Sequence, residues 1–140
     1  MVSGFSRPVK YRSAMRRAML WLPPLAWMIL IFYLSSESRP VPIVTEHVWD
    51  KLLHFIEYAA LGWLFYRALR GEEVGWAAAF IAAVAASAAY GATDEWHQSF
   101  VPLRDASVRD WLTDVAGGAG GAALCGWISR ASRRPRPLLR

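Results

Sequence analysis

The sequence predicts an all-α membrane protein, a bundle of four transmembrane helices with both termini in the cytoplasm. Three observations predict it. Residues 18–34 carry no charge, and residues 74–93 carry none either, with Ser87, Tyr90 and Thr93 as their only ordinary polar groups. Uncharged runs of about 18 or more residues match a hydrocarbon core roughly 30 Å thick, and a single soluble domain of 140 residues rarely needs two helices that are apolar all round. The hydrophobic fraction is 55% although the mean hydropathy is only +0.20, so the apolar content is concentrated in runs and not spread. Finally, the basic residues segregate. With four spans, twelve of the 16 Lys and Arg fall in the N-terminal tail, the turn at 67–71 and the C-terminal tail, and four fall in the loops at 36–51 and 94–109. Basic residues favour the cytoplasmic side of a membrane, which fixes the orientation.

Residues 1–17 form a basic cytoplasmic tail, and the first helix covers about 18–35. Pro23-Pro24 predict a late start or a kink there, because proline lacks an N–H and its ring crowds the preceding turn. A basic start, an apolar middle and the small pair Ser35-Ser36 also fit a secretory signal, but the run is long for one and its loss would remove a helix from the bundle. Pro40 and Pro42 make 37–49 an extended loop. The second helix spans about 50–69 and stops at Arg67, Arg70 and Gly71. Glu72-Glu73 then suit the positive end of the next helix dipole. The third helix spans about 74–93 and the fourth about 110–128, so the membrane domain is 18–128, and 129–140 is a basic tail expected to be disordered.

This topology places the start of helix two, the end of helix three and the start of helix four on the outer side, and those three ends carry the polar residues. Asp50, His54 and Glu57 or Tyr58 recur at helical spacing on one face, as do Tyr90, Asp94 and Gln98, with Glu95 beside them, and Ser107, Asp110 and Asp114. At 1.5 Å per residue Glu57 lies about 10 Å deeper than Asp50. A carboxylate at such depth is expected to be protonated, paired or facing a wet cavity. Small-residue stripes, Gly117/Gly121 and Gly118/Ala122/Gly126, are expected to pack helix four on the alanines of helix three: Ala78, Ala82, Ala85, Ala86 and Ala89.

A clustered set of polar groups inside a membrane marks a site. That reading applies to His54, Glu57, Asp94, Glu95, Gln98, Arg104 and Asp110. Asp50, Lys51, Asp105 and Arg109 read instead as solvated interface charges, Trp49, Trp96 and Trp111 as belt anchors, and His47 and His97 as surface residues. The single Cys125 excludes an intrachain disulfide and reads as a small packed residue. The net charge of +5 raises the question of nucleic acid, but the charge lies in the tails and no aromatic-and-basic motif or zinc-finger spacing accompanies it.

Three chemistries fit the polar set. Carboxylates with His54 would hold a divalent ion, but no compact ligand motif is present and no metal is assigned. Arg104 would clamp a phosphate or carboxylate through two parallel bonds. His54 with an acid would act as a general base, making His54, Glu95 and Arg104 the catalytic candidates. Nucleophile-elbow, phosphate-loop, dinucleotide-binding and zinc-protease signatures are missing from the sequence, so no cofactor is assigned.

Asp50-Lys51-x-x-His54-Phe55-x-x-Tyr58-x-x-Leu61-Gly62 resembles the first motif of the VanZ-like family. Gly91-x-x-Asp94-Glu95-x-x-Gln98-x-Phe100-x-Pro102-x-Arg104-x-x-Ser107-x-x-Asp110 resembles its second and continues into Gly117-x-x-x-Gly121. The resemblance covers roughly residues 20–128. It implies a small multi-pass protein of the bacterial inner (cytoplasmic) membrane, and its namesake is associated with low-level resistance to the glycopeptide teicoplanin. The matching positions are Asp50, Lys51, His54, Tyr58, Glu95, Gln98, Arg104 and Asp110. Asp114 stands where the family often has Asn, and Glu57 is at a variable position, so the resemblance assigns no role to either.

Three readings follow. In the first, an outward pocket of His54, Tyr58, Asp94, Glu95, Gln98, Arg104 and Asp110 binds a membrane lipid or a cell-wall lipid intermediate. In the second, the same groups hydrolyse or transfer a lipid-linked phosphate or ester. In the third, the polar set is a folding device without a ligand. The oligomeric state is not legible in the sequence.

Overall fold

The computed structural model of the chain describes residues 9–38, 47–104 and 106–132. Both tail ends (1–8 and 133–140), Pro40 and Pro42, Asp105, and the side chains of His47, Trp49 and Asp50 lie outside that description. The described residues form four α-helices and no strand: α1 (Val9–Ser35), α2 (His47–Gly71), α3 (Trp76–Gln98) and α4 (Val108–Ala131). Each predicted segment is a helix, but all four run longer than the apolar runs that announced them. Charged ends continue a helix once its apolar part has nucleated it.

Two expectations are corrected here. Pro23 and Pro24 lie well inside α1, which begins at Val9, so the pair does not delay the start. The second correction concerns the glycines. Gly117 and Gly121 face α2, not α3: a Cβ on Gly121 would stand 2.9 Å from the Ala59 Cα, and one on Gly117 would stand 3.1 Å from the Phe55 carbonyl carbon. Gly62 answers from α2, where a Cβ would stand 2.7 Å from the Gly118 Cα. Backbone therefore meets backbone at three places, and α2 with α4 is the most extensive helix pair among the described residues. On α3 the buried stripe is Ala79, Ala83 and Ser87, while Ala78, Ala82, Ala85 and Ala89 face outward.

The core between these helices is formed by Tyr58, Leu61, Phe65 and Tyr66 of α2 with small residues of α3 and α4 and Ile31 of α1. Helix α1 lies against α2 and touches α3 less. Its fastenings are mostly single hydrogen bonds to backbone carbonyls: Trp27 Nε1 donates to the Glu57 carbonyl at 2.9 Å, and Tyr90 Oη donates to the Met28 carbonyl at 2.5 Å.

The distribution of polarity is inverted relative to a water-soluble domain. Large apolar side chains such as Leu22, Ile29, Ile81 and Trp127 project outward, while His54, Ser87, Asp94, Glu95, Gln98, Asp110 and Asp114 are buried. Burial of ionisable groups beneath an apolar exterior is the reverse of the usual preference in water. Two helical stretches, Ser13–Ser35 and Trp76–Gln98, are long and apolar enough to cross a membrane. Both features are consistent with a membrane protein.

Candidate functional site

The buried polar residues collect at one end of the packed helices, and local sequence explains why. On α2, His54 and Tyr58 are one turn apart and both face inward. On α3 the inward stripe that begins with Ala79, Ala83 and Ser87 continues through Gly91 into Asp94, Glu95 and Gln98, so the same face that packs by small residues ends in three polar ones. On α4 the stripe containing Gly117 and Gly121 begins one and two turns earlier with Asp110 and Asp114. Small residues draw the helices together, and that closeness forces the polar ends into contact.

Contacts within the cluster are specific. His54 Nδ1 lies 2.9 Å from Asp114 Oδ1, and the two side chains are almost wholly enclosed. Gly91 leaves room for Asp114, since a Cβ there would stand 3.0 Å from its Oδ2. Glu95 reaches across to α4, where its Oε2 accepts the Ser107 backbone N–H at 2.6 Å. Ser107 is the N-cap of α4, and its own side chain accepts from the Arg109 N–H at 3.2 Å. Gln98 Nε2 donates to Asp94 Oδ2 at 3.3 Å. Lys51 pairs with Asp110. Tyr58 sits within electrostatic reach of Asp94 and Asp114. Four buried oxygens of this end, Asp94 Oδ1, Glu95 Oε1, Asp114 Oδ2 and Tyr58 Oη, have no hydrogen-bond partner among the described residues.

The sequence-derived site residues are thus brought together in large part: His54, Tyr58, Asp94, Glu95, Gln98 and Asp110 share this end. Arg104 occupies a different place in it. Its Nε donates to the Glu37 carbonyl at 3.3 Å and its Nη2 to the Leu34 carbonyl at 3.2 Å, so the guanidinium caps the C-terminal end of α1. A cation there also suits the negative end of the helix dipole. The tight turn before it, Val101-Pro102-Leu103-Arg104, is closed by the Arg104 N–H on the Val101 carbonyl and holds Leu103 at φ 67°. Lys51 and His97, read from sequence as solvated, are engaged: Lys51 with Asp110, and His97 with Ser36 Oγ at 3.0 Å and with the Phe32 ring.

Asp114 is the residue that the sequence-based site left out, and with Tyr58 it is the most enclosed of the set. Its spacing to Asp110, one turn up the same face, was the available signal. A side groove lies below this end. It measures about 510 Å³, is almost purely apolar, and runs between Trp27 of α1, Ala60 and Trp63 of α2, and Gly121 and Leu124 of α4.

The model of the family described as VanZ/LLP1 matches residues 12–129, which takes in all four helices almost completely and every residue of the cluster. No curated protein and no solved structure matches the chain.

Proposed function

The chain belongs to the VanZ/LLP1 family, and on that footing we propose that it is a multi-pass protein of the bacterial cytoplasmic membrane that binds a polar lipid or lipid-linked cell-envelope intermediate. All four helices span the bilayer, both termini face the cytoplasm, and the polar cluster opens toward the outer leaflet. The observation that carries this reading is the join of two unlike surfaces. A buried, incompletely hydrogen-bonded polar end stands above an apolar groove on the outside of the same helices. A lipid has the same division, with a headgroup that needs polar partners and chains that need none.

In this reading Arg104 supplies positive charge to an anionic headgroup, and Gln98, Tyr58 and Glu95 contribute directional hydrogen bonds. The acyl chain lies in the groove by Trp63 and Leu124. Sequestering an envelope intermediate in this way would change what a glycopeptide such as teicoplanin meets at the membrane surface. Photocrosslinking tests the idea. A photoreactive residue at position 60 or 104 is expected to capture lipid well above one at position 81, on the outer face of α3 away from the groove. Equal capture at all three positions refutes it, as does an unchanged set of co-extracted lipids in Arg104→Ala.

One observation favours a second reading, an enzyme acting on a lipid-linked phosphate or ester. The His54 imidazole is oriented by a buried carboxylate at 2.9 Å, the arrangement that a general base requires. Turnover of phospholipids or polyprenyl phosphates by the purified protein, lost in His54→Gln with the fold retained, would establish it. No turnover across that panel leaves binding as the function. The purely structural reading would be supported by Arg104→Ala losing stability and abundance in step with phenotype.

A further inference from the structure

We propose that His54, Glu95 and Asp114 form a binding site for a divalent transition-metal ion, Zn²⁺ or Mn²⁺. One imidazole nitrogen and one oxygen from each of the two carboxylates lie within 4.8 Å of one another. Ligand atoms on a common zinc, at about 2.0–2.2 Å from it, stand about 3–4.4 Å apart, so adjustments on the order of 1 Å or less close the set around an ion. The three residues come from three helices, which packed backbones hold in register, and all three are more than nine-tenths enclosed.

The second observation is independent of the spacing. Asp114 Oδ2 and Glu95 Oε1, each on a ligand residue, have no hydrogen-bond partner among the described residues, and neither has Asp94 Oδ1 one residue from Glu95. A buried carboxylate oxygen without a partner is costly, and three of them in one enclosure ask for positive charge. The lysine of this end, Lys51, is already paired with Asp110. A dication answers several of these oxygens at once. The supports that a metal site needs are also present: the second oxygen of Glu95 is held by the Ser107 N–H, and Asp94 is held by Gln98.

Donor chemistry narrows the ion. Mg²⁺ and Ca²⁺ favour all-oxygen shells, whereas a mixed imidazole and carboxylate set suits Zn²⁺ or Mn²⁺. Three protein ligands leave a coordination position open toward whatever shares the enclosure. This site stands whether or not the protein binds lipid.

The test uses the full chain in detergent micelles, stripped with a chelator, dialysed against Zn²⁺, Mn²⁺ or Mg²⁺, and assayed for metal by mass spectrometry. About one Zn²⁺ or Mn²⁺ per chain is expected, with Mg²⁺ lost, and affinity falling at least about tenfold in Asp114→Asn and Glu95→Gln but not in His97→Gln. Loss of bound metal in His97→Gln, or its retention in both ligand variants, overturns the assignment, and so does a wild-type chain that holds no metal. X-ray absorption on the zinc-loaded wild type keeps the question answerable if the variants do not fold. One imidazole nitrogen with oxygens is the expected shell, and two imidazoles or an all-oxygen shell overturns the proposal. Neither readout involves lipid, so failure here and failure of the lipid reading are separately visible.

Discussion

The two polar ends of this molecule solve the same problem in opposite ways. At the end where α2 turns into α3, charges stay at the surface: Arg17 pairs with Glu72 across 3.4 Å with its side chain 73% exposed, and Arg16 reaches the Gly71 carbonyl. At the other end His54 and Asp114 meet at 2.9 Å with side chains 7% and 0% exposed. Water can compete for the first pair and is shut out of the second. Exposed ion pairs contribute little because solvent competes for both charges, while an enclosed pair costs dearly only when one member is removed. The difference teaches that the α2–α3 turn is a boundary, whereas the opposite end is an enclosure that the fold maintains at a cost in desolvation.

Substitutions that break this contrast are ordered by expected effect. Asp114→Ala is expected to destabilise by about 3–5 kcal/mol, because it removes the carboxylate that meets His54 Nδ1 inside an enclosed space; reversible unfolding in mixed micelles reads it. A loss below about 1 kcal/mol would show that the two ends do not differ. Gly121→Val should cost about 1–3 kcal/mol or more by pushing α2 from α4, since the Ala59 backbone stands where the new side chain would go. The same measurement applies, and Cys125 labelling should rise as the helices part. Trp27→Phe keeps the ring but removes the bond to the Glu57 carbonyl, at about 1 kcal/mol. Arg17→Ala, at the exposed end, should change stability by no more than about 0.5 kcal/mol, less still in high salt.

The helices were legible because uncharged runs and period-3.6 polar faces are local signals. The site was legible in part for the same reason: His54 with Tyr58, and Asp94 with Gln98, declare one face each, and the alternation of four successive helices put their ends together. Which partner each glycine meets was not legible. Gly117 and Gly121 fit any small surface, and alanines on α3 offered one as readily as Gly62 and Ala59 on α2 did. Asp114 was passed over because its residue type departs from the family pattern, although its enclosure depends only on standing one turn from Asp110. The engagement of Arg104 with α1 was hidden for a different reason. Its acceptors are the carbonyls of Leu34 and Glu37, and a carbonyl leaves no trace in a sequence.

That last feature has a bearing on how this chain can vary. Tyr90 and Arg104 grip α1 by main-chain oxygens at 28, 34 and 37, and such oxygens are the same whatever side chain stands there. Random replacement along the outward surface of α1 should therefore leave these moorings intact. Part of the demand of attachment thus falls on Tyr90 and Arg104, side chains that lie outside α1.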